Sequence, residues 1–193
     1  MDKTEELRKI KEEIIASKDL PLYNYRIENS YFPVIGEGSH DAEVMFVGEA
    51  PGRNEAKQGR PFCGSAGKML DNLLKTIGLE RGSVYITNIV KDRPPENRDP
   101  EEQEICSYSP YLVRQIEIIK PKIVCALGRH SMKFIMEKYR LQKELDSISR
   151  IHGKLFQAES FAFIPLYHPA VAIYNGNMKK TLEEDFKILK QFL

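Results

Sequence analysis

Two carboxylates and an aromatic share one glycine-rich segment, GEAPGRNEAKQGRPFCGSAGK (48–68): Glu49, Glu55, and Phe62 bracketed by Pro61 and Gly64. A loop of this kind first suggests a phosphate cradle, and both common forms fail. No GxGxxG follows, Phe62 stands where the first Walker glycine belongs, and Met69 replaces Ser/Thr after Lys68. Spacing alone leaves two readings open: Phe62 in the core with both glutamates solvated, or all three lining a pocket. Two further residues favour the pocket. Asn88 interrupts an apolar run where valine would pack better, and its amide either ties down a loop or reads a ligand edge as donor and acceptor. His168 precedes Pro169, which restricts the backbone beside it. A lone histidine is more often structural, yet carboxylate, aromatic, amide and imidazole together suit a planar heterocycle. Its ring would stack on Phe62, its polar edge would meet Asn88, and His168 would face negative charge developing on an oxygen.

The elements that would gather these residues alternate in period. Leu7, Ile10 and Ile14 make 3–16 an amphipathic helix. Val44 to Val47 is a short buried strand leading into a loop that runs to about Ser65, followed by a helix striped with Met69, Leu70, Leu73, Leu74 and Ile77. SVYITNIV (83–90) is a second strand. After a Pro- and charge-rich loop, Asp99 is the expected N-cap of a helix carrying Ile105, Tyr108, Leu112, Ile116 and Ile119. Strands over 122–127 and 161–166, a helix near 131–139 and a last one from about Asn177 complete the pattern. Apolar strands separated by helices predict an α/β protein with a parallel sheet covered on both faces. Ligands of such sheets bind outside the carboxyl ends of the strands, here GEAPG, TN, LG and HP.

Composition bounds the rest. At 193 residues, 41% hydrophobic and 30% charged, the chain is expected to be one folded domain, 1–193, with 1–35 as a helix and extension packed on it. No apolar run approaches the about 18 residues of a membrane helix, and the opening MDKTEELRKIKEEIIASKDL is too charged for a signal peptide. Cys63, Cys106 and Cys125 include no CxxC pair and make neither a disulfide framework nor a metal site. A cytoplasmic monomer, bacterial or archaeal, is expected. The net charge of +1 places any nucleic-acid face in local patches.

Four ordered blocks then carry a resemblance: GEGSHDAEVMFVGEAPG (36–52), GRPFCGSAGKMLDNLL (59–74), VYITNIVKDRPPENRDP (84–100) with PYLVRQIEIIKPKIVCALG (110–128), and YHPA (167–170). From about Gly36 to Asn175 the chain resembles the uracil-DNA glycosylase superfamily, most of all its family-four branch. The resemblance implies a three-layer α/β/α sandwich around a four-stranded parallel sheet, and hydrolysis of the N-glycosidic bond of uracil in single- or double-stranded DNA. It implies Glu49, Glu55 and His168 as catalytic, and Ala50, Phe62 and Asn88 as the uracil pocket. On chemical grounds Glu55 is the first choice for the water and Glu49 for shaping the pocket beside uracil C5, where the methyl of thymine must be excluded; the two could exchange roles. Arg53, Arg60 and Arg93, with Lys57, Lys91 and Arg98, are candidate DNA contacts. Pro169, Ala170, Val171, Ala172 and Ile173 fall on the loop that enters the duplex where the base has left.

The chain departs from family four in one respect. That branch holds an iron–sulfur cluster on four cysteines; here Cys106 matches one position, Asp92 occupies another, and no cysteine precedes Cys63. No cluster or other cofactor, and no metal, is therefore expected. Three rival functions remain: a glycosylase preferring hypoxanthine or xanthine, a lesion binder without chemistry, and a hydrolase of free nucleosides.

Overall fold

Every strand predicted in the chain forms, and the sheet acquires two more. The computed structural model describes residues 2–192. Four parallel strands, β2 (Val44–Gly48), β3 (Tyr85–Asn88), β4 (Ile123–Leu127) and β6 (Ala162–Leu166), lie in the order β3-β2-β4-β6. Two-residue strands, β1 (Glu37–Gly38) and β5 (Phe156–Gln157), pair antiparallel at the edges. The sheet is therefore a mixed one of six strands, not the purely parallel one of four that was expected. Runs of two residues carry no readable period, which is why neither edge strand shows in the sequence.

Alternation within β2 explains the layering. Met45 and Val47 face one apolar cluster, Val44 and Phe46 the other. The first cluster is closed by α1 (Lys3–Ala16), α5 (Glu102–Ile119) and α6 (Arg129–Lys138); the second by α4 (Ser65–Thr76) and α9 (Met178–Lys187). Short helices α2 (Tyr23–Glu28), α3 (Arg53–Gln58), α7 (Ile148–Ile151) and α8 (Val171–Tyr174) complete the path. Helix α3 corrects the expectation of an uninterrupted loop to Ser65. The N-cap of α5 is also corrected from Asp99 to Glu101, whose side chain and that of Glu104 form a reciprocal capping box.

A buried ion pair fastens the amino-terminal extension. Arg26 Nη1 donates to both Asp92 oxygens at 3.1 and 2.8 Å, Tyr108 Oη donates to Asp92 Oδ2 at 2.6 Å, and Arg26 Nη2 donates to the carbonyls of Ile14 and Ile15 at 3.2 Å. One knot thus joins α1, α2, the loop after β3, and α5. Removing one partner of a buried pair leaves the other charge uncompensated. Asp92→Ala is expected to lose about 3–5 kcal/mol of stability at pH 7, measured by urea unfolding; a loss under about 1 kcal/mol, the scale of an exposed pair, would contradict this.

Candidate active site

The strand order reverses at β2: β3 is laid on one side of it and β4 on the other. Open α/β sheets bind ligands beyond the carboxyl ends at such a switch point. The β2–β3 ladder runs past both strands, with Ile89 N–H donating to Gly48 O and Val90 N–H to Glu49 O, each at 3.0 Å. Backbone pairing thereby sets Glu49 beside the segment that carries Asn88.

Gly48 is the floor of the site. A Cβ there would stand 2.3 Å from Asn88 Oδ1 and 2.9 Å from two Phe62 ring carbons, so only glycine lets amide and ring meet over the strand end. Phe62 itself is held at a φ of +47°, a rare conformation for a bulky residue. Gly67 in α4 secures it by close approach: a Cβ there would lie 1.6 Å from the Phe62 carbonyl oxygen. The Phe62 ring touches His168, centroids 5.6 Å apart. Both readings of the loop thus hold in part. Phe62 is buried in the cluster beneath α4, and it also walls the site beside Asn88 and His168.

The tautomer of His168 follows from one hydrogen bond. The Ala170 backbone N–H donates to Nδ1 at 3.2 Å. An amide N–H only donates, so Nδ1 bears no proton and the neutral ring carries its proton on Nε2. Burial lowers the pKa of the ring and outweighs the opposing charge of Glu55. His168 therefore offers a neutral N–H donor.

The two glutamates differ. Glu55 Oε1 accepts from Gly64 N–H at 3.3 Å, tying α3 to the start of α4. Glu49 Oε1 is buried and has no hydrogen-bond partner. Burial first, and the charge of Asp99 second, push the Glu49 carboxyl up to about 7, against the opposing effect of Arg129. His130 Nε2 lies 3.9 Å from Glu49 Oε1 and 3.1 Å from Asp99 Oδ2. Neither His130 nor Asp99 was anticipated as a neighbour of Glu49. The available signal was the position of His130, directly after Gly128 and Arg129 at the carboxyl end of β4.

The profile of the uracil DNA glycosylase superfamily matches residues 35–190. The chain belongs to the uracil-DNA glycosylase superfamily. A type-4 uracil-DNA glycosylase of Sulfurisphaera tokodaii is 52% identical over 190 residues, covering 96% of this chain and 84% of that protein. One of Archaeoglobus fulgidus is 42% identical over 187 residues, covering 95% and 91%. A type-5 uracil-DNA glycosylase of Pyrobaculum aerophilum is 31% identical over 178 residues, covering 82% and 74%.

The cysteines of this superfamily member do not fit the cluster of the family-four branch. Cys63 sits in the loop before α4, Cys106 is exposed on α5, and Cys125 is buried in β4, where burial pushes its thiol up. Among the described residues, the one group of three His, Cys, Asp or Glu side chains whose ligand atoms converge is Glu49, Asp99 and His130, with no cysteine in it. The Asp92 position is filled by the bonds to Arg26 and Tyr108.

The candidate DNA contacts divide. Arg53 and Lys57 are exposed on α3; Arg60 is exposed but paired with Glu37 through two bonds of 2.8 and 2.7 Å. Two expectations are corrected. Lys91 is wholly buried, and Arg93 is turned inward, its guanidinium bonded to Tyr25 Oη, Tyr31 Oη and Asn97 Oδ1. Both follow the strand end in the ladder register, which carries them under the amino-terminal extension. Arg98 pairs with Glu104 and Glu101. The loop after His168 is helical turn α8: Pro169 and Ala172 are buried, Ala170 and Val171 partly so, while Ile173 and Tyr174 project at 43% and 89% exposure. Ala172 is thus packed inward rather than at the tip, where Tyr174 joins Ile173. Among the described residues, no helix is long and apolar enough to cross a membrane.

Proposed function

We propose that the protein hydrolyses the N-glycosidic bond of uracil in DNA and leaves an abasic site. The observation that carries this reading is the meeting of the Asn88 amide and the Phe62 ring over Gly48, with the neutral His168 against that ring. Uracil stacked in DNA is out of reach, so the nucleotide is flipped out at a cost of a few kcal/mol. Stacking on Phe62 returns about 1–3 kcal/mol of that. Asn88 reads the polar edge of the base, and the backbone at Ala50 lines the pocket.

As the bond from C1′ to N1 lengthens, its electron pair moves onto the base and cationic character grows on the sugar. The Nε2–H of His168 donates to a base oxygen and strengthens as that oxygen gains charge, which lowers the barrier. Uracil leaves as the anion with that electron pair, and water then adds to C1′ of the cationic sugar, its proton passing to the carboxylate that orients it. Glu49 is the better group to stabilise the sugar and orient this water: its Oε1 has no partner, and its pKa near neutrality suits a general base. Glu55, clasped by Gly64, shapes the loop, and its charge acts on His168. This exchanges the roles expected from sequence. The knot of Arg26, Asp92 and Tyr108 supports a reading without an iron–sulfur cluster, since it braces the segment where the branch places a cysteine.

Arg53 and Lys57 supply phosphate contacts, with Arg60 in reach if its pair with Glu37 opens, and binding weakens steeply with salt. Ile173 and Tyr174 enter the gap left by the base; Pro169, Ala170 and Val171 support them. The test is alkali cleavage of oligonucleotides bearing one uracil, hypoxanthine, xanthine or thymine, with free deoxyuridine alongside. Uracil strands alone, or uracil first, are expected to be cut. Binding without base release would leave a lesion binder, and turnover of deoxyuridine a nucleoside hydrolase. The double variant Ile173→Ala/Tyr174→Ala is expected to lose about 10-fold or more on duplex substrate and far less on single strands. Equal losses on both would remove the wedge.

A further inference from the structure

The least expected side chain near the site is Lys91. It is wholly buried, and its Nζ donates to Thr87 Oγ1 at 2.7 Å, to the Asn88 carbonyl at 2.6 Å and to Gln115 Oε1 at 2.6 Å. Three donors meet three acceptors, all neutral, so the ammonium is fully hydrogen-bonded yet has no counter-ion. Burying a charge in this way is costly, and a methionine would fill the space without that cost. Burial draws its pKa well below the ordinary lysine value, and the three acceptors, which only the three N–H groups of an ammonium satisfy together, oppose this by favouring the charged form. Neither DNA contact nor packing accounts for such a residue.

Its partners show what it holds. Gln115 Nε2 donates to Ile35 O at 2.9 Å and to Tyr85 Oη at 3.1 Å, which leaves Oε1 turned to Lys91. Thr87 Oγ1 donates to the same Ile35 carbonyl at 2.7 Å. Val34 N–H closes the network on the Lys91 carbonyl at 2.7 Å. The ammonium is thereby anchored in α5, in β3 and in the extension before β1. From that anchorage it grips one backbone atom of the site, the carbonyl of Asn88.

We infer that Lys91 is a positioning residue for the reaction: its ammonium locks the Asn88 peptide and so aims the Asn88 amide at the flipped base. The inference rests on the proposed role of Asn88 and extends it. Pre-organisation of this kind matters because a displacement of about 1 Å in a contact group can cost about 100-fold in rate. Lys91 is a buried charge-assisted donor, stronger than a neutral one, acting on a group that turns directly from sheet to pocket.

The test is a double-variant cycle on single-turnover uracil excision with Lys91→Met, Asn88→Ala and the pair. Ile10→Ala, a wholly buried change in α1, is the destabilised control, and all assays run below every melting transition. Lys91→Met is expected to lose about 10- to 100-fold in rate and to weaken inhibition by free uracil, while Ile10→Ala stays near wild type. In the Asn88→Ala background, Lys91→Met is expected to cost less than about 3-fold, because it acts through Asn88. A wild-type rate for Lys91→Met, an equal loss in Ile10→Ala, or losses that multiply in the pair would each overturn the role of Lys91. Full activity in Asn88→Ala would instead overturn the pocket assignment, and the role of Lys91 with it.

Discussion

Asn88→Ala is expected to lower single-turnover excision of uracil by about 100-fold or more. The amide lies in van der Waals reach of Gly48 beside Phe62, at the end of a strand whose register with β2 is fixed through Ile89 and Val90. Removing it leaves the polar edge of uracil without its partner beside a buried strand end, and a pocket built to bond a polar edge discriminates strongly against losing that bond. The loss is expected in both rate and uracil affinity, because the same amide serves the ground state and strengthens on the leaving anion. Asn88→Asp should be informative as well: it keeps the acceptor, loses the N–H donors, and sets a carboxylate against a base becoming negative. It is expected to be the worse variant for rate. Activity of Asn88→Ala within about 5-fold of wild type would show that recognition lies elsewhere, with a loss that small being below the cost of one oxyanion-type donor.

The second large effect concerns Glu49 and pH. Its carboxyl is pushed up to about 7, chiefly by burial, and the proposed role requires the ionised form. Wild-type kcat/KM is therefore expected to rise with pH through an apparent midpoint near 7. Glu49→Gln is expected to lose about 100- to 1000-fold at pH 8 and to lose that rising limb. Stability should move the other way. A carboxyl raised on folding from 4.5 to about 7 contributes stability that is present below 4.5 and lost as pH rises to about 7. Glutamine does not titrate, so the variant's advantage grows from pH 4.5 and is full by pH 8. With about a quarter of the side chain in solvent, an advantage of about 1–2 kcal/mol is expected rather than the full value of the shift. Urea unfolding at the two pH values reads it. A variant that is inactive and no more stable at pH 8 than at pH 5, relative to wild type, would show that Glu49 is not held in a desolvating site.

The parallel strands were legible because each is an apolar run with both faces covered, and α1, α4 and α9 because their apolar stripes keep a helical period along the whole element. The edges of the sheet were not, since β1 and β5 are two residues long and form only against a neighbour already in place. Helix α3 was hidden for a related reason: RNEAKQ buries Ala56 alone, so it has no stripe to read. Phe62, Asn88 and His168 could be picked out because each interrupts a local pattern; Phe62 and Asn88 meet over Gly48, and His168 lies against the Phe62 ring. What sequence could not give was direction. Lys91 and Arg93 are charged residues in a loop, the usual mark of a surface, yet the ladder register turns both inward, where Gln115, Tyr25 and Tyr31 satisfy them. The likeness of Glu49 to Glu55 as side chains likewise concealed their different settings, one unpartnered and the other bound to Gly64.

The most direct test of the central claim is to quantify free uracil released from an oligonucleotide carrying a single uracil, against the abasic sites revealed by alkali. Wild type is expected to release one uracil per abasic site, none from the matched thymine strand, and Asn88→Ala to release almost none in the same time. Intact strands after prolonged incubation with wild type at saturating enzyme, or base release unaffected by loss of Asn88, would contradict the account.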